Sequence, residues 1–428
     1  MDAQIVSTDD HSFTIQVTVS YQDNMLQAEE ALQEGLNKVG SLSTLELLAY
    51  FDTDGSPIRI GETNLTSKGK VEKEYQTPYG AAIVDRHVYQ SSQGGKTYVP
   101  LESGSKVIGT ATPKFAKMVS SKYSTDAAPG VQRDLAENHG RPVALSFIKN
   151  LTDLVGAIAQ AKEESWSYTL PEMPHRVASI SAGLDGTCLN MMTSGWREAM
   201  CGSLAFFDKQ GDRMHTIYTA AAPEYGKANF LQRFGSEVAK VMALYPTVPL
   251  IGLADGAPEN WRFLKQHCDR LTLDFWHVSE YLAKAAHAMY PRKNQKEVRE
   301  EWLEEACHRL KYKRGGASRI LHQLMAFEQH QKMATNHRKE LNQVITYFSN
   351  QKERMHYYKN VLENLPIGSG VTEAACKTMV KNRMCKGAAR WKDQGASVVL
   401  TLRSLHTTHS RWDQFWKKYS HYGYTLAA

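Results

Sequence analysis

The chain has 428 residues, of which 42% are hydrophobic and 22% charged, a globular balance with length enough for about three domains. No run approaches the ~18 consecutive apolar residues of a membrane-crossing helix, and the opening MDAQIVSTDD is acidic with no basic-then-apolar stretch, so a membrane span and a signal peptide are not expected and a cytoplasmic protein is. Net charge is +6, unevenly spread: from Gly370 onward ten Lys and Arg face three acids, a local +7 that leaves −1 for the rest, and such asymmetry points to a nucleic-acid partner or to a solvated basic tail.

In chain order, residues 12–21 (SFTIQVTVSY) alternate apolar and polar side chains, which predicts a strand. Gln22 to Val39 then carries Leu26, Leu32, Leu36 and Val39 at helical spacing. Two β-rich runs, AAIVDRHVYQ and KTYVPL, flank Ser91-Ser92-Gln93-Gly94-Gly95, so a hairpin is expected within residues 72–101. Short helices are expected from Pro113 to Tyr123, from Gly130 to Asn138 and from Pro142 to about Lys162, with Pro142 in the first turn of the last. Two short helices around a Gly-containing turn describe a helix-turn-helix, and equally any helical hairpin. On the first reading Arg141, Ser146, Lys149 and Asn150 are the groups offered to a DNA groove.

From residue 171 the pattern changes. HRVASISAGLDG, AMCGSLAFFDKQG and RMHTIYTAAAP predict three strands, Asn229 to Tyr245 an amphipathic helix, VPLIGLADGAPENW a buried strand, and RLTLDFWHVSEYLAKAA a strand running into a helix, together a mixed-sheet α/β layout. Leu282 to Leu365 reads as helical throughout. The expected organisation is an N-terminal α+β region (1–110), a helical region (111–170), an α/β region (171–283), an all-helical insertion (284–366) and a final segment with the basic tail (367–428). Six cysteines are scattered with no CxxC and no Cys/His cluster at metal spacing, so they are expected to be reduced and mostly buried.

Three acids stand where apolar runs meet small residues: Asp185 in SAGLDGT, Asp255 in GLADGAP and Glu373 in PIGSGVTEAACK. Both aspartates follow an apolar run and precede glycine, which would place each at the C-terminal end of a strand. Taken singly, an Asp before Gly is also an ordinary turn residue, and Glu373 near a helix start also answers the helix dipole. Converging carboxylates repel unless a cation lies between them, and hard oxygen ligands suit Mg²⁺ or Mn²⁺. Two such ions about 4 Å apart clamp an in-line displacement at phosphorus. Lys377 and Lys381, four and eight residues beyond Glu373, would share its helical face, and Arg383, Lys386 and Arg390 extend a basic track suited to a phosphodiester backbone. Asp208, Asp212 and Asp269 read as exposed turn residues.

The ordered acids, with ADGAPENW, DFWHVSEYL and GSGVTEAACKTMVKNRMCKGAARW, closely resemble the DDE transposases of bacterial insertion sequences, specifically the ISKra4 family. RHVYQ, PKFAK and DLAENHGR extend the likeness over most of the chain. The resemblance implies an α/β RNase H-like catalytic domain, a mixed sheet flanked by helices, with an all-α insertion between the second aspartate and the glutamate, plus an N-terminal α+β DNA-binding region. Intervals of 70 and 118 residues separate the three acids, and the longer holds the helical block. It further implies that Asp185, Asp255 and Glu373 are catalytic and hold two Mg²⁺ (or Mn²⁺) ions, that the partners are terminal inverted repeats and target DNA, and that a homodimer or higher oligomer forms on DNA. Asp274-Phe275-Trp276-His277 is also similar to the D(2)H element of Mutator-like and hAT-like transposases. On that likeness Asp274 and His277 support the active site or contact DNA, and Trp276 stacks on an unpaired base; core packing at a strand-to-helix junction is the competing reading for Trp276 and His277. In departure from the family pattern, the sequence has no Cys/His zinc-binding N-terminal element, so terminal-repeat recognition is expected to rest on the hairpin and helices of residues 72–160 or on the inserted helices. A catalytically inactive DNA-binding derivative and an RNase H-like nuclease or resolvase without strand transfer are the alternative functions.

Overall fold

A computed structural model describes residues 2–423 except Asp10 and Glu164. The chain divides into two compact units, the first drawn from Met1–Thr169, Thr401–His406 and Ser410–Ala428, the second from Leu170–Leu400 and Thr407–His409. No helix among the described residues is long and apolar enough to cross a membrane.

The first unit opens with an antiparallel pair, β1 (Asp2–Thr8) and β2 (Phe13–Thr18), followed by α1 (Met25–Tyr50), whose start Asn24 caps by accepting the Gln27 N–H at 3.0 Å. A four-stranded antiparallel sheet follows in the order β3 (Ile58–Ile60), β4 (Thr63–Gln76), β5 (Ala81–Ser91), β6 (Gly94–Tyr98). The expected hairpin is the β5–β6 pair, turned at Ser92 and Gln93, and Gly94 and Gly95 lead out of the turn into β6 at φ +80° and +94°, which glycine adopts freely. The longest partner of β5 is β4, whose polar run TNLTSKGKVEKEYQ carries no strand signal because few of its positions touch the core.

After the short α2 (Pro100–Ser105) come α3 (Pro113–Thr125), α4 (Ala128–His139) and α5 (Leu145–Lys162). Pro142 is not in the first turn of α5. Residues 141–144 form a non-helical link instead: Gly140 ends α4 in the left-handed region at φ +60°, and the Val143 carbonyl is taken by Gln132 Nε2 at 2.8 Å. The last helix of the chain, α16 (Arg411–Tyr422), also belongs to this unit, where Tyr419 Oη donates to the Lys106 carbonyl at 3.1 Å.

The second unit is a mixed α/β domain built on a five-stranded sheet. Its strands are β7 (Ser179–Met191), β8 (Gly195–Phe207), β9 (Arg213–Ala221), β10 (Leu250–Ala254) and β11 (Arg270–Leu273), in the spatial order β11-β10-β7-β8-β9. β7, β8 and β9 form an antiparallel meander; β10 and β11 are parallel to β7. Between β9 and β11 lie α6 (Lys227–Leu244) and α7 (Pro258–His267). PENWRFLKQH does not continue the preceding strand, as its apolar approach suggests; proline at its first turn and the buried Trp261, Phe263 and Leu264 make it a helix.

The helical block comprises α8 (Phe275–Met289), α9 (Lys296–Tyr312), α10 (Gly316–His330), α11 (Thr335–Gln351) and α12 (Tyr357–Leu362). One continuous apolar core runs from Ile180 and Phe206 of the sheet through Val278 and Leu282 to Leu324 and Phe348 of the block, so the insertion is packed onto the sheet domain rather than tethered to it. The chain returns through α13 (Gly370–Ala375), a π-helical turn over Cys376–Lys381, α14 (Asn382–Met384) and α15 (Asp393–Thr407). The cysteines are all free, but only Cys201 and Cys376 are buried; Cys188 and Cys385 are exposed, which corrects the expectation of a mostly buried set.

Candidate active site

The expectation that both aspartates end strands is half corrected. Asp255 directly follows β10, whereas Asp185 sits at the middle of β7, because β8 pairs with β7 over its whole length from Ser179↔Phe207 to Met191↔Gly195. The parallel register nevertheless aligns them. Leu253 pairs with Gly183, so two positions on Asp255 comes level with Asp185. Ala254 pairs with Leu273, so Asp274 is level with Asp255 on the far side. Three adjacent strands thus deliver an aspartate at one height.

Asp185 is half-buried and Asp255 exposed. Burial pushes the Asp185 carboxyl above its ordinary range and the nearby Asp255 charge adds to this, while the Cys376 thiol, the Gly186 N–H and the Lys381 ammonium oppose it. Asn260 of α7 braces the strand from behind, Nδ2 donating to the Leu184 carbonyl at 3.3 Å.

Glu373 is exposed on α13, one turn before the Cys376 that touches Asp185. The position of this helix is set by close packing: Ser203 and Thr372 hydroxyls are 2.7 Å apart, and a Cβ at Gly183 would fall 1.9 Å from Thr372 Oγ1. Its entry is set by Asp274, which is fully buried, caps α8 by accepting the His277 N–H at 2.8 Å and also accepts the Ser369 N–H. Ser369 Oγ in turn donates to Glu373 Oε1 at 3.1 Å. The return from the helical block is zipped alongside, with Phe275 N donating to the Ile367 carbonyl at 3.0 Å and Tyr357 Oη to the Leu273 carbonyl at 2.9 Å.

The structure therefore sets Asp185 and Asp255 level on neighbouring strands and packs the Glu373 helix against β7 and β8, with the Glu373 carboxylate engaged by Ser369. Among the described residues, no group of three or more His, Cys, Asp or Glu is gathered tightly enough to hold a metal ion.

Of the supporting residues, Trp276 is 62% exposed, which excludes core packing, and its ring edge lies against Gly368. His277 is half-buried beside the rings of Tyr281 and Tyr347 and 3.7 Å from Glu280. Lys377, Lys381, Lys386 and Arg390 are exposed. The continuous α-helix assumed for Lys377 and Lys381 is corrected, since residues 376–381 wind as a π-helix, a form that recurs at functional sites. Arg383 does not extend the basic track: it is buried, with its guanidinium over the Trp391 ring at 5.3 Å. Arg141 is likewise internal, bonded to the Thr77 carbonyl and Gln76 Oε1 and stacked on Phe115. Ser146, Lys149 and Asn150 are exposed on α5. Asp208 is a turn residue but buried, accepting the Gln210 and Asp212 N–H groups.

Sequence reasoning missed Ser369, Thr372, Ser203 and Cys376. Small hydroxyl and thiol side chains carry no periodic signal; only the GSG run before Glu373 hinted at tight packing. Neither protein-family models nor curated proteins give a match to the chain.

Proposed function

We propose that the chain is a DNA transposase of the DDE kind, whose second unit is an RNase H-like catalytic domain that cuts phosphodiester bonds at the terminal inverted repeats of a mobile element and directs the freed 3′-hydroxyls at target DNA. The level placement of Asp185 and Asp255 on adjacent parallel strands carries this reading. The sheet supports it: an antiparallel meander of three strands whose first member is flanked by two further parallel strands is the mixed layout expected of an RNase H-like domain.

The donor set suits a hard divalent cation. Asp185 is held in repulsion with Asp255, and among the described residues neither these two nor Glu373 forms an ion pair. Asp185, Asp255 and, once released from Ser369, Glu373 would hold Mg²⁺ or Mn²⁺. Such ions supply activation of water or a 3′-hydroxyl and charge neutralisation on the leaving oxygen. The protein's own contribution is positional: Asp274 and Ser369 orient the Glu373 helix, and Lys377, Lys381, Lys386 and Arg390 offer charge to the strand backbone. Lys149 and Asn150 of the first unit are the surface groups left for reading duplex DNA. Joining two element ends needs two such sites, hence a homodimer or larger assembly working on DNA in the cytoplasm.

The test is to sequence the DNA flanking the gene for imperfect inverted repeats and to incubate the protein with duplexes carrying those ends, with Mg²⁺ or Mn²⁺. Nicks and joined products are expected, both abolished by Asp185→Asn, Asp255→Asn or Glu373→Gln with gel-shift binding retained. Binding without nicks under either metal overturns the enzyme in favour of a non-catalytic DNA-binding protein, and nicks without joining favour a nuclease or resolvase.

A further inference from the structure

The helical block carries a second polar site, next to the acids. α8 and α11 line a cleft of about 890 Å³ whose walls include Tyr281, Lys284 and His287 from α8 and His337, Glu340 and Tyr347 from α11. The Tyr281 and Tyr347 rings are stacked, with centroids 3.7 Å apart and planes 2° from parallel, and Lys284 Nζ lies 4.6 Å from the Tyr281 centroid. The cleft adjoins the acidic site. A Cβ at Gly256, the residue after Asp255, would be 4.0 Å from Tyr347 Cε2, and burial, then Tyr281, Asp255 and Asp274, raise the Tyr347 phenol.

Two buried polar atoms here lack a hydrogen-bond partner among the described residues, Tyr347 Oη and His337 Nδ1; the Glu340 carboxylate is 3.7 Å from the latter, too far for a hydrogen bond. Buried polar atoms are almost always paired, so these two are unmet hydrogen-bonding capacity in the wall of the cleft, which a side-chain rotation would turn towards a ligand. The walls offer the Lys284 ammonium, the imidazole nitrogens of His287 and His337 and the single acid Glu340, and aromatic rings beside a cation are what unpaired nucleotides bind. The volume falls in the range of small-ligand sites, roughly 300–1,000 Å³, which admits a nucleotide or two and not a double helix.

We propose that this cleft holds an unpaired stretch of the DNA strand next to the cleaved phosphodiester, with Lys284 and His287 meeting its phosphates and Tyr347 and His337 its polar edges. The inference rests on the transposase reading and names a substrate subsite within it. The strand would run from Asp255, past Tyr347, into the helical block.

The test is fluorescence anisotropy of the full chain with a labelled twelve-residue oligo(dT), beside a duplex of the element end. Lys284→Ala with His287→Ala is expected to weaken oligo(dT) binding about tenfold and to flatten its salt dependence by about 0.7 in log–log slope for each phosphate no longer neutralised. Tyr347→Phe is expected to weaken it severalfold. In each variant, duplex binding and the thermal midpoint should stay unchanged; Lys284→Glu, at an exposed position, repeats the test with the charge reversed. Unaltered oligo(dT) affinity in all of these, with metal-dependent nicking intact, overturns the cleft assignment alone. Failure of the wild-type chain to bind either DNA overturns the transposase reading with it. Tighter binding of oligo(rU), abolished in the same variants, overturns the assignment to DNA in favour of RNA.

Discussion

The buried carboxylate of Asp274 accepts the backbone N–H of Ser369, and through it one side chain governs both the start of α8 and the turn that opens the Glu373 helix. Helix capping and positioning of a candidate catalytic acid are thus one structural event. Asp274→Ala leaves two N–H groups unpaired and is expected to destabilise the second unit by about 2–4 kcal/mol. Asp274→Asn keeps most of the shape and is expected to cost less stability while still reducing metal-dependent cleavage with DNA binding intact. Thermal unfolding, cleavage rate and gel shift read the three effects; wild-type cleavage in Asp274→Asn would show that the carboxylate does not position Glu373.

Gly183 and Thr372 are a second close pair of this kind. An added methyl at Gly183 falls within 1.9 Å of Thr372 Oγ1, in an interior where such overlap costs about 1–3 kcal/mol. Gly183→Ala should therefore lower both the midpoint and cleavage, and adding Thr372→Ala should restore part of each. A double mutant no better than additive would mean that the two positions are not coupled.

The basic residues after Glu373 should separate into two kinds. Lys377→Ala and Lys381→Ala, at exposed positions, are expected to leave stability within about 0.5 kcal/mol of wild type and to reduce the salt slope of duplex binding by about 1 each. Arg383→Ala removes a buried side chain packed on Trp391 and should instead lower stability. An Arg383→Ala protein of wild-type midpoint would contradict its interior role.

The first unit should weaken on acidification. Burial, then the Arg403 charge, holds the His406 imidazole below its ordinary value of 6.5, and His139 is lowered in the same direction by burial and Lys122. A depressed imidazole binds its proton more readily when unfolded, so its stabilisation is complete above the ordinary value and declines as pH falls through the folded one. His406 Nε2 is 3.0 Å from Ser121 Oγ, an interaction that glutamine can imitate. Unfolding free energies of wild type and His406→Gln, measured from pH 8 to pH 5, should converge as pH falls; parallel curves would exclude this contribution.

Sequence alone settled what depends on local pattern. The order of most elements was legible because burial imposes a period of two on strands and 3.6 on helices, and the hairpin at Gly94 and Gly95 because few residues tolerate a positive φ. The candidate acids could be named because all three stand where apolar runs meet small residues, in the order that the family resemblance calls for. The strand β4 was not legible because most of its positions face solvent and so carry no alternation, nor was the π-turn at Cys376, whose winding is set by packing against the sheet, nor the helix α7, whose proline start was masked by the apolar strand before it. Register was beyond reach as well: that Asp185, 70 residues before Asp255 and mid-strand, stands level with it follows from how β7 and β10 slide into hydrogen bonding. The fates of the arginines were decided in the same way. Arg383 and Arg141 look in sequence like Lys381 and Lys149, and only three-dimensional packing, which buried the first two and left the second two exposed, separates a structural cation from one free to meet a phosphate.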